Sequence, residues 1–394
     1  MIADTNEFRR GWPTVLAAAT GVGLGIAGLL TYTAGIFAKD LQAAIGLSRT
    51  GLGAAFFLST LALAIALPIV GWLVDRFGPR WPALFGSLSL SLGFFLLGSA
   101  VASVPAYMAV MAGIGLLAAC SAPVAYTRAV NERFDRQRGL ALGFTQMGIG
   151  VASMVVPPVL AAVIATRGWR SGYHVLAVIA LAGTIPALAM PTKGGREPAR
   201  DPSDASAQMR SRTFVLLLLS FGAMALAFAG LLPHFVPMLR ESGMDARAAG
   251  ALAGLIGASV ILSRLVVGRL ADRMEAPRIA AVCCGLCALG CIALAGQGAR
   301  VAWLGAIALG TAMGSEADLI GYLTARYFGM ANYGRLYAIQ YASFMLMAGL
   351  SPLWVGALAD VTGSYRAPLL VTAGALVVAI ILFLQLPKSR PVHG

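Results

Sequence analysis

Three charged residues interrupt long apolar runs of this 394-residue chain, and their types suit anion binding and proton exchange. Arg264 stands in Ile261-Leu-Ser-Arg-Leu-Val-Val-Gly268, and Glu316 and Asp318 stand in Gly314-Ser-Glu-Ala-Asp-Leu-Ile-Gly-Tyr322. An arginine at membrane depth costs about 2.5 to 3.5 kcal/mol on insertion scales and normally faces a cavity or a partner. Its planar fork can give a carboxylate two parallel hydrogen bonds. The alternative is a snorkelling arginine, because only about 12 Å of helix separates it from Asp272. The two acids can pair with Arg264 when no anion is bound, or one can carry a proton. Residues two apart on a helix point about 200° away from each other, so the two acids do not face one cavity equally. Glu316 is the favoured coupling residue. The other reading of the acids is structural: charge neutralisation or the cap of an interrupted helix.

Further polar candidates within apolar runs are Tyr32, Tyr126, Gln146, Gln340 and Tyr341. Their hydroxyls and amides could orient a carboxylate or a 2-hydroxyl group, although each alone also reads as an interhelical hydrogen bond or an interfacial anchor. His234 and His174 stand at run ends, where they either titrate or sit at the interface. Gly23-Leu-Gly25-Ile-Ala-Gly28 matches a dinucleotide fingerprint but has no strand before it, so close helix packing explains it better. Cys283, Cys284, Cys287 and Cys291 lie among Ala, Gly and Leu without a nearby histidine and read as small apolar packing, not a metal site. There is no G-x-x-x-x-G-K-[ST], H-E-x-x-H or G-x-S-x-G, so signatures of ATP hydrolysis and of two hydrolase classes are missing. No cofactor or metal is expected, nor is enzymatic chemistry.

The elements that must hold these residues are legible from composition. With 59% hydrophobic residues, 11% charged residues and a mean hydropathy of +0.81, the surface requires lipid as its solvent. Twelve apolar runs have lengths near those that cross a bilayer: 13–38, 51–74, 81–100, 104–127, 139–165, 172–190, 214–238, 247–270, 279–297, 301–325, 334–357 and 366–386. They are numbered here as spans 1 to 12. Each must be helical, since lipid offers the backbone no partner, so the fold expected is all-α. Span 1 lacks a cleavage site and is expected to be retained. Pro191 to Thr213 reads as a linker, dividing the chain into 1–190, 191–213 and 214–394. Twelve spans put both termini on one side. About 20 basic residues share that side, including Arg128, Arg133, Arg136 and Arg138, against roughly 8 on the other, which makes it cytoplasmic. The net charge of +13 follows from this bias and from contact with anionic lipid, and nucleic-acid binding is set aside.

The two halves echo each other. Gly71-Trp-Leu-Val-Asp75-Arg76-Phe-Gly78-Pro-Arg80 follows span 2, and Gly268-Arg-Leu-Ala-Asp272-Arg273 follows span 8. Arg133-Phe-Asp-Arg-Gln-Arg-Gly139 before span 5 is matched by Arg326-Tyr-Phe-Gly-Met-Ala-Asn-Tyr-Gly334 before span 11. Six-span repeats are a signature of alternating-access carriers. The loop G-x-x-x-D-R-x-G-x-R, with twelve spans, resembles the signature of the major facilitator superfamily, which implies two pseudo-symmetric six-helix bundles. In that family the loop acts as a conformational latch, a role the resemblance carries to Gly71, Asp75, Arg76, Gly78 and Arg80 and to Asp272 and Arg273.

The stretch Arg133 to Gly150, with R-G-x-A-x-G and closely spaced glycines, is similar to the approach to span 5 in the monocarboxylate transporter family. Arg264 matches the place where those carriers hold a carboxylate-binding arginine. The resemblance implies a carrier of a small organic anion, coupled to a proton or a counter-anion; a bacterial inner membrane and the monomer as the working unit are also expected. Three positions depart from it. Val260 replaces an aspartate usual in animal members, span 1 has only Lys39 and Asp40 at its outer end, and Leu336 to Phe344 offers no second cation of the oxalate:formate antiporter type. One fixed cation suits a monocarboxylate. An exporter of the same fold, a receptor without flux and an intramembrane enzyme are the rival readings, which uptake and product measurements separate.

Overall fold

A computed structural model describes residues 7–47, 49–192, 202–244 and 246–388, and these form helices and connecting turns without a strand. Eleven stretches of the described residues are long and apolar enough to cross a membrane. One of them, Ala276–Phe328, contains two helices, Ala276–Gln297 and Ala302–Phe328, parted where Gly298 takes φ 60°. The count is therefore twelve spans, as the sequence predicts. Large apolar side chains such as Ile65, Val178, Ile185 and Leu289 are more than 60% exposed, which a multi-pass membrane protein turns toward lipid.

Spans 5 and 6 turn into each other at Gly168, whose φ of 79° is a left-handed conformation open to glycine without steric cost. Spans 1, 4 and 7 are broken where hydropathy alone shows continuous runs; span 4 consists of Val104–Leu117 and Pro123–Arg133, with the 3-10 turn Ala118–Ser121 between them. Span 1 consists of Glu7–Gly23 and Ile26–Thr33, and the Ile26 N–H freed by the break donates to Ser121 Oγ at 3.1 Å. Span 7 consists of Arg212–Phe228 and Leu231–Glu241. There the Leu226 carbonyl accepts from Ser351 Oγ at 2.7 Å and from Trp354 Nε1 at 2.8 Å, while the Gly230 N–H donates to Ser351 Oγ at 2.7 Å. A backbone break is tolerated at membrane depth because side chains of neighbouring spans satisfy it.

Part of the linker is helical. Pro202–Met209 forms a short helix, and Ser211 then caps the next one by accepting from the Phe214 N–H at 3.2 Å. Lys193, Arg196, Arg200 and Arg390, counted above in the charge bias, lie outside the described residues. The dinucleotide-like glycines serve packing: a Cβ on Gly23 would lie 2.5 Å from the Gly148 carbonyl oxygen of span 5. The four clustered cysteines of span 9 are buried.

The helices gather into two compact units. The first comprises Met1–Asp135, Phe144–Asp201 and Phe328–Ala342, and the second Arg136–Gly143, Pro202–Tyr327 and Ser343–Gly394. The first turns of span 5 thus group with the second unit, and those of span 11 with the first.

Candidate functional site

In the second unit, spans 8 and 10 come together through missing side chains. A Cβ on Gly314 would lie 2.6 Å from Val260 O and 2.7 Å from Ser263 Cβ, and Ser263 Oγ donates to Thr311 O at 2.8 Å. This close approach lets the short Asp318 side chain meet Arg264: Nη1 donates to Oδ1 at 3.3 Å, with the residues 8% and 3% exposed. The other carboxylate oxygen, Asp318 Oδ2, is buried without a hydrogen-bond partner among the described residues, as is Glu316 Oε2. Both acids lie within electrostatic reach of Arg264. The structure therefore divides the two carboxyls, one bound to the arginine and one left over.

Within the first unit, Gln146 and Gln340 are fully enclosed, and neither amide has a hydrogen-bond partner among the described residues. An unfilled buried polar group costs about 1 to 3 kcal/mol, so such amides mark places where water or a ligand belongs. Tyr341 is buried and stacks on Tyr337 with centroids 5.7 Å apart, and Tyr337 stacks on Tyr333 at 5.5 Å. Tyr126 is enclosed against Gly21 of span 1 and beside Ser87, which ties it to packing inside the unit. Tyr32 is 42% exposed. His234 bridges Pro352 O at 3.2 Å and the Tyr365 hydroxyl at 3.1 Å, and His174 bonds Ser99 Oγ at 2.9 Å.

The two echoed sequence elements meet reciprocally. Asp75 accepts from the Gly334 N–H at 2.8 Å and the Arg335 N–H at 2.7 Å, at the start of span 11. Asp272 accepts from the Gly139 N–H at 2.7 Å and the Leu140 N–H at 3.0 Å, at the start of span 5. Each carboxylate fills orphan donors at a helix N-terminus and faces the positive end of its dipole. Glycine makes the approach possible, since a Cβ on Gly334 would lie 2.6 Å from Gly71 O. Gly78, at φ 75°, ends span 2. Arg80 reaches elsewhere, its Nε donating to Met190 O at 2.7 Å. Arg76 is exposed and lies over Trp72 and Phe77, and Arg273 is exposed.

Arg128 corrects the charge count above, which treated it as a loop residue. It lies in the helix Pro123–Arg133, 3% exposed, ion-paired to Asp75 and, through Nε at 2.9 Å, to Glu132. The i, i+4 spacing of Arg128 and Glu132 was the available signal. Removing one member of a buried ion network typically costs about 3 to 5 kcal/mol, because the partners stay buried and uncompensated. Arg128→Met is therefore expected to lower the unfolding temperature of the purified protein clearly, and Arg128→Met with Asp75→Asn to recover part of the loss. An unchanged melt for the single variant contradicts this pairing.

Burial pushes the Asp272 carboxyl up from 3.8 to about 6, against the opposing pull of the Gly139 and Leu140 N–H groups and of Arg326 and Arg138. A carboxyl raised on folding favours the folded state most below its unfolded value, and that contribution is lost as pH rises through the folded value. The melting temperature of the native protein minus that of Asp272→Asn is accordingly expected to be largest near pH 4 and to shrink up to about pH 6. A difference constant from pH 4 to 7 contradicts it.

The family model of the Major Facilitator Superfamily matches residues 20–317. The chain belongs to the major facilitator superfamily. Among relatives of this superfamily member, monocarboxylate transporter 11 of Homo sapiens is 28% identical over 98% of the chain and 85% of that protein. The oxalate:formate antiporter of Oxalobacter formigenes is 33% identical over 35% of the chain and 32% of that protein. The solved structure of the Escherichia coli fucose:proton symporter shares the fold, with a TM-score of 0.77 and 14% identity over 96% of this chain and 99% of that one. These relatives and folds are transporters, not enzymes.

Proposed function

We propose that this superfamily member is a secondary active transporter of a small organic anion, a monocarboxylate, working by alternating access and coupled to protons. The observation that carries the reading is the buried Arg264 held by Asp318, with Glu316 Oε2 without a hydrogen-bond partner among the described residues. In this reading the substrate carboxylate takes the place of Asp318 on the guanidinium, so the resting pair keeps the cation compensated while the site is empty. Glu316 accepts the coupled proton, and Asp318 serves as the exchangeable counterion. Gln146, Gln340 and Tyr341 supply amide and hydroxyl groups to the substrate's remaining polar atoms, and Tyr32 and Tyr126 are secondary candidates.

The carboxylates of Asp75 and Asp272 act as latches, with Gly71, Gly78, Arg76, Arg80 and Arg273 shaping the two loops around them. Residues 1–190 and 214–394 form the two bundles, joined by the linker 191–213. The positive-charge bias supports an inner-membrane setting with both termini cytoplasmic, and the monomer is the proposed working unit. The human relative named a monocarboxylate transporter and the lack of a second cation in Leu336 to Phe344 support one carboxylate over two.

The test is uptake of labelled formate, acetate, L-lactate, pyruvate and oxalate into proteoliposomes with an imposed inward proton gradient. Saturable, gradient-stimulated uptake of a monocarboxylate is expected. Preference for oxalate exchanged against formate indicates an antiporter instead, and no carboxylate uptake at all points to an exporter of other compounds.

A further inference from the structure

Spans 5 and 8 meet backbone to backbone beside the arginine. Gly139 and Gly143 stand four residues apart on one face of span 5, and Gly268 and Arg264 stand four apart on the face of span 8 opposite them. A Cβ on Gly139 would overlap the Gly268 carbonyl oxygen, and one on Gly268 would overlap that of Gly139. A Cβ on Gly143 would lie 2.6 Å from the Arg264 carbonyl oxygen and 3.2 Å from its carbon, and 3.8 Å from Asp318 Oδ2. That oxygen is buried without a hydrogen-bond partner among the described residues.

We propose that Gly143 is a positioning residue for the anion site: its missing side chain seats span 5 on the Arg264 main chain and leaves room beside Asp318 Oδ2. The proposal rests on the anion-transport reading above. An arginine side chain has many rotamers, so a guanidinium is placed reproducibly only if its main chain is fixed and its partner is held in register. The crossing provides the first and Asp318 the second. A methyl group at position 143 meets backbone, which cannot swing aside as a flexible side-chain end can. It therefore displaces span 8 at Arg264 and narrows the space that the carboxylate must vacate or enter. The same crossing continues one turn along to Gly139, whose N–H Asp272 holds, so the register of span 5 on span 8 is pinned at both contacts.

The experiment compares native protein, Gly143→Ala, Asp318→Asn and the double variant, with Gly254→Ala as a control because a Cβ there meets no atom of the described residues within 4 Å. Uptake of labelled L-lactate and the substrate-free unfolding temperature are both read. Gly143→Ala is expected to raise KM about tenfold with Vmax held within about twofold, and the double variant to add little to the worse single one. An unchanged KM, a fall in Vmax alone, or effects that multiply independently overturn the proposal.

If native protein takes up no carboxylate, the transport reading fails, and the melts still decide on Gly143: non-additive losses support its coupling to Asp318, additive losses overturn it. If Gly143→Ala gives no folded protein, Asp318→Glu decides. On this proposal the room left beside Asp318 Oδ2 takes one extra methylene, so that variant is expected to melt within about 3 °C of native. A larger loss than that of Asp318→Asn overturns the proposal.

Discussion

Arg264→Gln is expected to reduce carboxylate uptake, as Vmax/KM, by at least about a hundredfold. A fork that gives a carboxylate two charge-assisted hydrogen bonds is worth about 3 kcal/mol or more, and 1.4 kcal/mol is a factor of ten. Arg264→Lys keeps the charge and loses the planar fork, so an intermediate loss is expected. Loss of folding must be separated from loss of binding, because Arg264→Gln strands Asp318, which is 3% exposed. Arg264→Gln combined with Asp318→Asn removes both charges and supplies that control. It is expected to fold better than the single variant and to remain inactive. Full uptake by either variant contradicts the assignment of Arg264.

The second large effect is expected at Glu316. Its Oε2 is buried without a hydrogen-bond partner among the described residues, whereas Asp318 is engaged by Arg264, and the proposed cycle therefore gives the coupled proton to Glu316. Glu316→Gln is expected to abolish accumulation driven by an inward proton gradient, while exchange of internal for external substrate continues within about threefold of native. Exchange needs only the loaded carrier to reorient. Net uptake requires the empty carrier to return, and a permanently neutral group at 316 removes the protonation step from that cycle. If Asp318→Asn shows this separation and Glu316→Gln does not, the roles of the two acids are reversed.

The parts legible in the sequence are those that a bilayer dictates. Apolar runs near 20 residues yield the twelve spans, and the cost of an intramembrane charge singles out Arg264, Glu316 and Asp318. Which acid meets the arginine was not legible, because a two-residue offset says only that they diverge. The choice depends on how closely spans 8 and 10 approach, through Gly310, Gly314 and Ser263.

The echo of Asp75 in Asp272 is visible as a repeat, but its physical content is a crossed pairing, each carboxylate holding the start of the span that the other echo supplies. Charge counting assigned Arg128 to a loop because positive-inside bookkeeping does not distinguish a solvated arginine from a paired one. The breaks in spans 1, 4 and 7 are hidden for a related reason: hydropathy averages over a window, whereas the breaks in spans 1 and 7 are repaired by single hydroxyls, Ser121 and Ser351. Tyr126 illustrates the same limit for aromatics, since only the fold reveals that its ring lies on Gly21.

Whether Arg264 receives a carboxylate is tested, without gradients or orientation effects, by ligand-induced thermal stabilisation. Native protein and the Arg264→Gln, Asp318→Asn double variant are melted in detergent with increasing L-lactate or lactamide, a pair that differs in the charged group. A ligand that binds the folded state raises the unfolding temperature in proportion to the logarithm of its concentration over Kd. Stabilisation of the native protein by lactate, absent with lactamide and absent in the variant, is the predicted result. Equal stabilisation by lactate and lactamide, or lactate stabilisation that survives the loss of Arg264, contradicts a carboxylate site at Arg264.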